Sequence, residues 1–168
     1  MTYKEKVFEA FHADHAALGQ ALHELRTLLA AGETKKAQLC AAKLNRTAGA
    51  HIAFEENDFY PALKHALSES EIEAMYNEHA DGLSVIQGIS DAETSQLANP
   101  LVKADFLLRI EALQGHVAEC GDLFGAMGAL TEEEFKVLYG QIEYWRKQAP
   151  HWTIIAAPDT LKGRARDA

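Results

Sequence analysis

Four histidines and one glutamate are the residues of this 168-residue chain best placed to do chemistry. His15 stands between Phe11 and Leu18, at spacings of four and three. His51 follows Ala48 by three and precedes Glu55 by four, His79 lies four from both Met75 and Leu83, and His116 follows Leu113 by three. Each falls on the apolar stripe of a helix-like segment, so each is expected to point inward. One histidine on an apolar face is most often a hydrogen-bonded core residue. Four of them, one per segment and each near its middle, point instead to a shared ligand. Glu55 sharpens the point, because a carboxylate is rarely buried without a partner. No Lys or Arg lies on these stripes near the histidines, so a bound cation is the economical partner. A divalent metal of borderline softness accepts neutral imidazole and carboxylate together. Residues four apart on one helix reach the same metal or neighbouring metals of one cluster, and a carboxylate between two metals can bridge them.

The other histidines carry weaker signals. His12, three before His15, sits off the stripe and is assigned to the surface or to a supporting position behind the ligands. His23 and His65 flank their stripes, and His151 follows Pro150 outside the helical segments.

The elements that must position the inward residues all read as helices. Apolar positions recur at three and four from Tyr3 to Ala31, ended by Gly32. A second helix runs from about Thr34 to Leu67, with Pro61 inside it as an expected kink or break. A third opens at a Ser68 or Ser70 cap and carries Ile72, Met75, Leu83, Ile86 and Ile89. The polar run "DAETSQLANP" reads as a loop, and Pro100 suits the first turn of a fourth helix reaching about Met127. Thr131 caps a fifth, whose apolar positions suit either covering the bundle or a dimer contact. No alternating strand pattern competes. The expected fold is all-α: an up-down-up-down four-helix bundle with an additional C-terminal helix. Residues 1–149 form one domain, with its core at 3–128 and the fifth helix at 131–149, and 150–168 is an extended or frayed tail.

Composition narrows the function classes. A formal charge of -9, from 25 acidic against 16 basic residues, with no local basic cluster, argues against a nucleic-acid surface. No apolar run approaches membrane-spanning length and no leader-like start is seen, so a cytoplasmic protein is expected. Cys40 and Cys120 are too few for a disulfide framework.

The segment "HIAFEENDFYPAL", His51 to Leu63, resembles the helix-two signature of the hemerythrin-like (HHE cation-binding) family: His, Glu four on, a second acid, an aromatic pair and proline. "ADHAAL" around His15 and "NEHADGL" around His79 are similar to the contexts of that family's helix-one and helix-three histidines. The resemblance covers roughly Tyr3 to Met127. It implies a non-haem di-iron centre with an oxo, hydroxo or carboxylate bridge, with zinc or manganese as other possible occupants. Carried over, His51 and His79 would bind one iron, His15 and His116 the other, and Glu55 would bridge them.

In "GHVAECGDLF" the chain departs from the family, whose fourth helix normally supplies a second bridging acid four or five residues after its histidine. Here those positions are Cys120 and Gly121. Glu119, three after His116, is the preferred second bridge, since "LF" follows it at the spacing that "FY" keeps from Glu55. Asp122 lies too far round the helix. Cys120 either fills space in the ligand layer or offers a thiolate.

With mostly imidazole donors, such a centre is expected to bind or sense a diatomic gas, O2 or NO, rather than activate oxygen. Two readings stand beside this one: iron-centre repair or peroxide and NO detoxification, and a structural or regulatory zinc or single-metal bundle. The protein is expected to be a monomer or homodimer, and more a binding protein than a catalyst.

Overall fold

The computed structural model describes residues 1–119 and 123–156, without the side chains of Glu119, Phe124 and Ala156. Every regular element among the described residues is helical. The order is α1 (Tyr3–Ala30), α2 (Thr34–Phe54), a π-helical turn (Glu55–Phe59), α3 (Tyr60–Ala62), α4 (Glu69–Asp91), α5 (Thr94–Ala98), α6 (Pro100–Glu119), α7 (Leu123–Met127), α8 (Glu132–Gln148) and α9 (Trp152–Ala156). None of the described helices is long and apolar enough to cross a membrane.

Local chemistry sets the boundaries. Thr2, Ser68 and Thr131 each accept from the amide three residues on, while Glu5, Glu71 and Glu134 reach back to the cap amide. These reciprocal caps satisfy amides that have no partner within the helix. Between the two candidate caps of the third helix, Ser68 is the one used. Gly32, at φ 75°, takes the left-handed conformation that stops α1.

The four long helices α1, α2, α4 and α6 pack so that α1 touches α2 and α6, and α4 touches the same two. Helix α8 lies across α1, α2 and the π-helical turn. Their apolar faces form two cores. One holds Leu18, Leu22, Leu44, Ala48, Leu83, Ile86, Ile110 and Leu113, and the other holds Val7, Phe11, Phe54, Phe59, Ile72, Tyr76 and Met127. His15, His51 and His79 fall, along their own helices, between residues of the first core and residues of the second, and His116 lies between the first-core residues of α6 and the second-core residues of α7. The histidines therefore form a polar waist between two hydrophobic clusters.

Four segments differ from the sequence expectation. The second helix is not continuous to Leu67, nor is it simply kinked at Pro61. Pro61 has no amide to give the carbonyl four residues back and its ring crowds that carbonyl. The turn ahead of it widens to π geometry, in which the Tyr60 amide bonds to the Glu55 carbonyl. The carbonyl of Glu56, which Pro61 would serve in that register, accepts the Tyr76 hydroxyl at 2.7 Å. The fourth helix does not run unbroken to Met127: α6 ends at Glu119 and α7 starts at Leu123, with residues 120–122 outside the described set. The expected loop contains α5, pinned by buried Leu97. Nor is the start of the tail frayed. Trp152 is 0% exposed, and the chain at Pro150 lies so close to α2 that a Cβ on Gly49 would stand 1.8 Å from the Pro150 carbonyl oxygen. An indole buried against α2 and α4 outweighs the entropy of a free end. Residues 157–168 lie outside the described set.

Candidate metal centre

Glu55 lies at the middle of the waist, 1% exposed, and its two carboxylate oxygens face different partners. Oε1 is 3.7 Å from His15 Nε2 on α1 and 3.4 Å from His51 Nε2 on α2. Oε2 is 3.2 Å from His79 Nε2 on α4 and 3.3 Å from the Tyr60 hydroxyl, which donates to it. The Tyr60 oxygen is also 3.1 Å from His79 Nε2. His116 on α6 reaches the same neighbourhood, its ring edge-on to His79 with centroids 5.3 Å apart. The structure thus brings His15, His51, Glu55, His79 and His116 together. The Glu119 side chain, Cys120 and Asp122 lie outside the described set.

The pairing differs from the one the resemblance implied. His51 sits with His15, not with His79, and His79 has His116 as its ring neighbour. Spacing along a helix says which residues face inward, but not which adjacent helix meets them. All four helices touch two others of the set, so the ring positions decide it: His15 and His51 stand 4.5 Å apart and His79 and His116 5.3 Å, centroid to centroid.

Behind each histidine stands an acceptor for the nitrogen turned away from Glu55. His15 Nδ1 donates to the Phe11 carbonyl at 2.9 Å, and His79 Nδ1 donates to Glu56 Oε1 at 3.0 Å. Glu78 contacts His116 Nδ1, and Asp14 lies 3.6 Å from His51 Nδ1 while accepting from Arg146 on α8 at 2.8 Å. Outer acceptors of this kind fix ring orientation and leave Nε2 as the ligating atom. The sequence expectation gives none of these three acids a role toward a histidine. Their signal was adjacency: Asp14 precedes His15, Glu56 follows Glu55 and Glu78 precedes His79. Each serves a histidine of a different helix from its own, so spacing within one helix cannot reveal it. Tyr60 was missed for another reason, the change of register at the π turn.

Electrostatics tie these groups together. Burial alone would depress His51 and His79. The Glu55 and Asp14 carboxylates around His51, and Glu55 and Glu56 around His79, raise each to about 9. Glu55 resists the upward push of burial and is held well below the usual carboxylate range by His51 and His79. His15 goes the other way, to about 4, through burial and the neighbouring His51.

Whether a metal fits can be judged from the unsatisfied atoms. His15 gives its Nδ1 hydrogen to a carbonyl, so a neutral ring turns the Nε2 lone pair toward Glu55 Oε1. Glu55 Oε1 and both ring nitrogens of His51 are buried without a hydrogen-bond partner. Such orphans are unfavourable by about 1–3 kcal/mol each. A cation between Glu55 Oε1 and the Nε2 atoms of His15 and His51 removes the conflict on that side, while His51 Nδ1 faces Asp14 at 3.6 Å. One donor atom from each of His15, His51 and Glu55 lies within 4.8 Å of the others, compact enough for a single ion. A groove of about 570 Å3 opens beside His15 between α1 and α6, with exposed His12 on its lining. His23, His65 and His151 are exposed and take no part.

A model of the hemerythrin HHE cation binding domain matches residues 6–136. The chain belongs to the hemerythrin family. The match covers α1 through the first turn of α8, and so includes every histidine of the waist. No curated protein and no solved structure matches the chain at a comparable level. Membership in the hemerythrin family agrees with the donor set: imidazoles and a buried carboxylate inside helices, suited to a cation.

Proposed function

We propose that this hemerythrin-family chain is a non-haem di-iron protein that binds or senses a diatomic gas, O2 or NO, inside an up-down-up-down four-helix bundle. The bundle reading rests on the order in which α1, α2, α4 and the pair α6–α7 pass between the two cores, which alternates from one to the next. The observation that carries the function is the two-sided environment of Glu55. One oxygen meets His15 and His51, and the other meets His79, as expected of a carboxylate shared by two metals. His116 completes the imidazole set, and Glu119 is the proposed second carboxylate.

Iron bound there would supply reversible capture of a small gas through its ferrous state. The chain's own residues do the rest. Glu55 holds both sides in register, and Asp14, Glu56 and Glu78 orient three of the rings. Phe11, Phe59 and Tyr60, all buried against the waist, exclude bulk water. With imidazole as the main donor, charge donation is low, which favours the reduced metal over oxygen activation.

Elemental analysis and optical titration test this reading. Two irons per chain, with a new visible charge-transfer band when O2 or NO meets the reduced form, are expected. One zinc and no iron would support the structural single-metal reading instead, which the compact His15, His51 and Glu55 cluster favours.

A further inference from the structure

The geometry points to Tyr60 as a metal ligand: its phenolate oxygen, Glu55 Oε2 and His79 Nε2 together hold a metal on the side of Glu55 opposite His15 and His51. This rests on the metal-centre reading above and extends it to a residue type outside the His and carboxylate set.

The first support is the triangle of atoms. Tyr60 Oη to Glu55 Oε2 is 3.3 Å, Tyr60 Oη to His79 Nε2 is 3.1 Å, and His79 Nε2 to Glu55 Oε2 is 3.2 Å. Donors at about 2.1 Å from an octahedral metal stand about 3 Å apart when adjacent, so these three atoms have the spacing of one face of a coordination sphere. They mirror the trio on the other oxygen, where His15 and His51 meet Oε1.

The second support is the way the backbone delivers the phenol. In a continuous α-helix Tyr60, five residues after Glu55, would point roughly 140° away from it, and Phe59 would take the ligand face. The π turn over Glu55–Phe59, with the Tyr60 amide bonded to the Glu55 carbonyl, swings Tyr60 back over Glu55. Phe59 turns instead to Phe11 and Phe54, with ring centroids at 5.0 and 5.8 Å. Single π turns inside α-helices are rare and are frequent at functional sites. Tyr60 is 0% exposed, so this placement brings a buried hydroxyl to the acid and the histidine rather than to water.

When the metal binds, a metal–oxygen bond forms, the phenol O–H breaks and its proton leaves to solvent or buffer. The oxidation state of the metal does not change in that step.

The test is resonance Raman spectroscopy on the ferric protein, excited in its visible band, with tyrosine-ring deuteration to identify phenolate modes. Phenolate ring and C–O modes that shift on deuteration are expected in the unsubstituted protein and in Y76F, and are lost in Y60F. If Y60F does not fold, the labelled unsubstituted protein and Y76F together answer the question, since modes kept without Tyr76 leave Tyr60 as the buried tyrosine beside the site. Bound iron without those modes would make Tyr60 a hydrogen-bond donor only and overturn the inference, while leaving gas binding untouched. Phenolate modes in a protein that takes up no gas would support the ligand and overturn the gas reading. Failure to bind iron at all would overturn both.

Discussion

Glu56 and His79 form a buried pair, Oε1 to Nδ1 at 3.0 Å, although Glu56 stands on the π turn and His79 on α4. The residue before it, Glu55, meets the other nitrogen of the same ring. Consecutive acids thus hold both nitrogens of one imidazole, and only one of them faces the proposed metals. Glu56→Ala should therefore leave metal stoichiometry intact and weaken affinity on the order of 10- to 100-fold. Competition with a chelator of known affinity measures it. An unchanged affinity would mean that Glu56 does not orient His79.

The pH dependence of the metal-free protein follows from two histidines. His51 and His79 are raised from 6.5 to about 9 by the carboxylates around them, against the downward push of burial. A raised folded-state pKa gives stability that is complete below 6.5 and is lost as pH climbs through about 9. The apo protein should melt at a lower temperature above that window than at its lower edge. Metal binding needs neutral rings, so loading within the window should release protons and tighten as pH rises. Calorimetric titration in buffers of different ionisation enthalpy counts those protons. Glu55→Gln should remove most of the effect, because it removes the charge shared by both rings.

Tyr76→Phe tests the repair of the π turn. Its hydroxyl serves the Glu56 carbonyl that Pro61 has no amide to reach. Removing it strands a buried acceptor and should destabilise the fold by about 1–3 kcal/mol in chemical denaturation. A loss near zero would show that the π turn is satisfied without it.

Gly49→Ala asks whether the C-terminal docking is tight. A methyl there would stand 1.8 Å from the Pro150 carbonyl oxygen, a backbone atom that cannot swing aside. The expected result is release or displacement of the 150–156 segment, a loss of about 1–3 kcal/mol, and a red-shifted Trp152 emission in a Trp145→Phe background. Unshifted emission with unchanged stability would argue against the docked arrangement.

The inward His and Glu set could be read in the sequence because an α-helix repeats its face every three or four residues, and His15, His51, Glu55, His79 and His116 all obey that repeat. Tyr60 could not, since it reaches the site only by breaking the repeat. Asp14, Glu56 and Glu78 stand off their own stripes and find their purpose on a neighbouring helix. The resemblance implied His51 beside His79, whereas the ring neighbours seen are His51 with His15 and His79 with His116. Long helices and their caps announced themselves through periodicity and Ser/Thr–Glu spacing. The docking of Trp152 depends on a groove that exists only once α2 and α4 have packed, with Gly49 and Gly82 keeping it open.

That neighbouring arrangement has an evolutionary edge. In Asp14–His15, Glu55–Glu56 and Glu78–His79 the inner group and the acid for another helix's ring are adjacent in the chain. Inserting or deleting one residue nearby would displace a ligand on one helix and disarm an imidazole on the next. Lineages that alter this centre are thus expected to change partners in correlated pairs across helices, leaving a covariation trace between positions 14 and 51, 56 and 79, and 78 and 116.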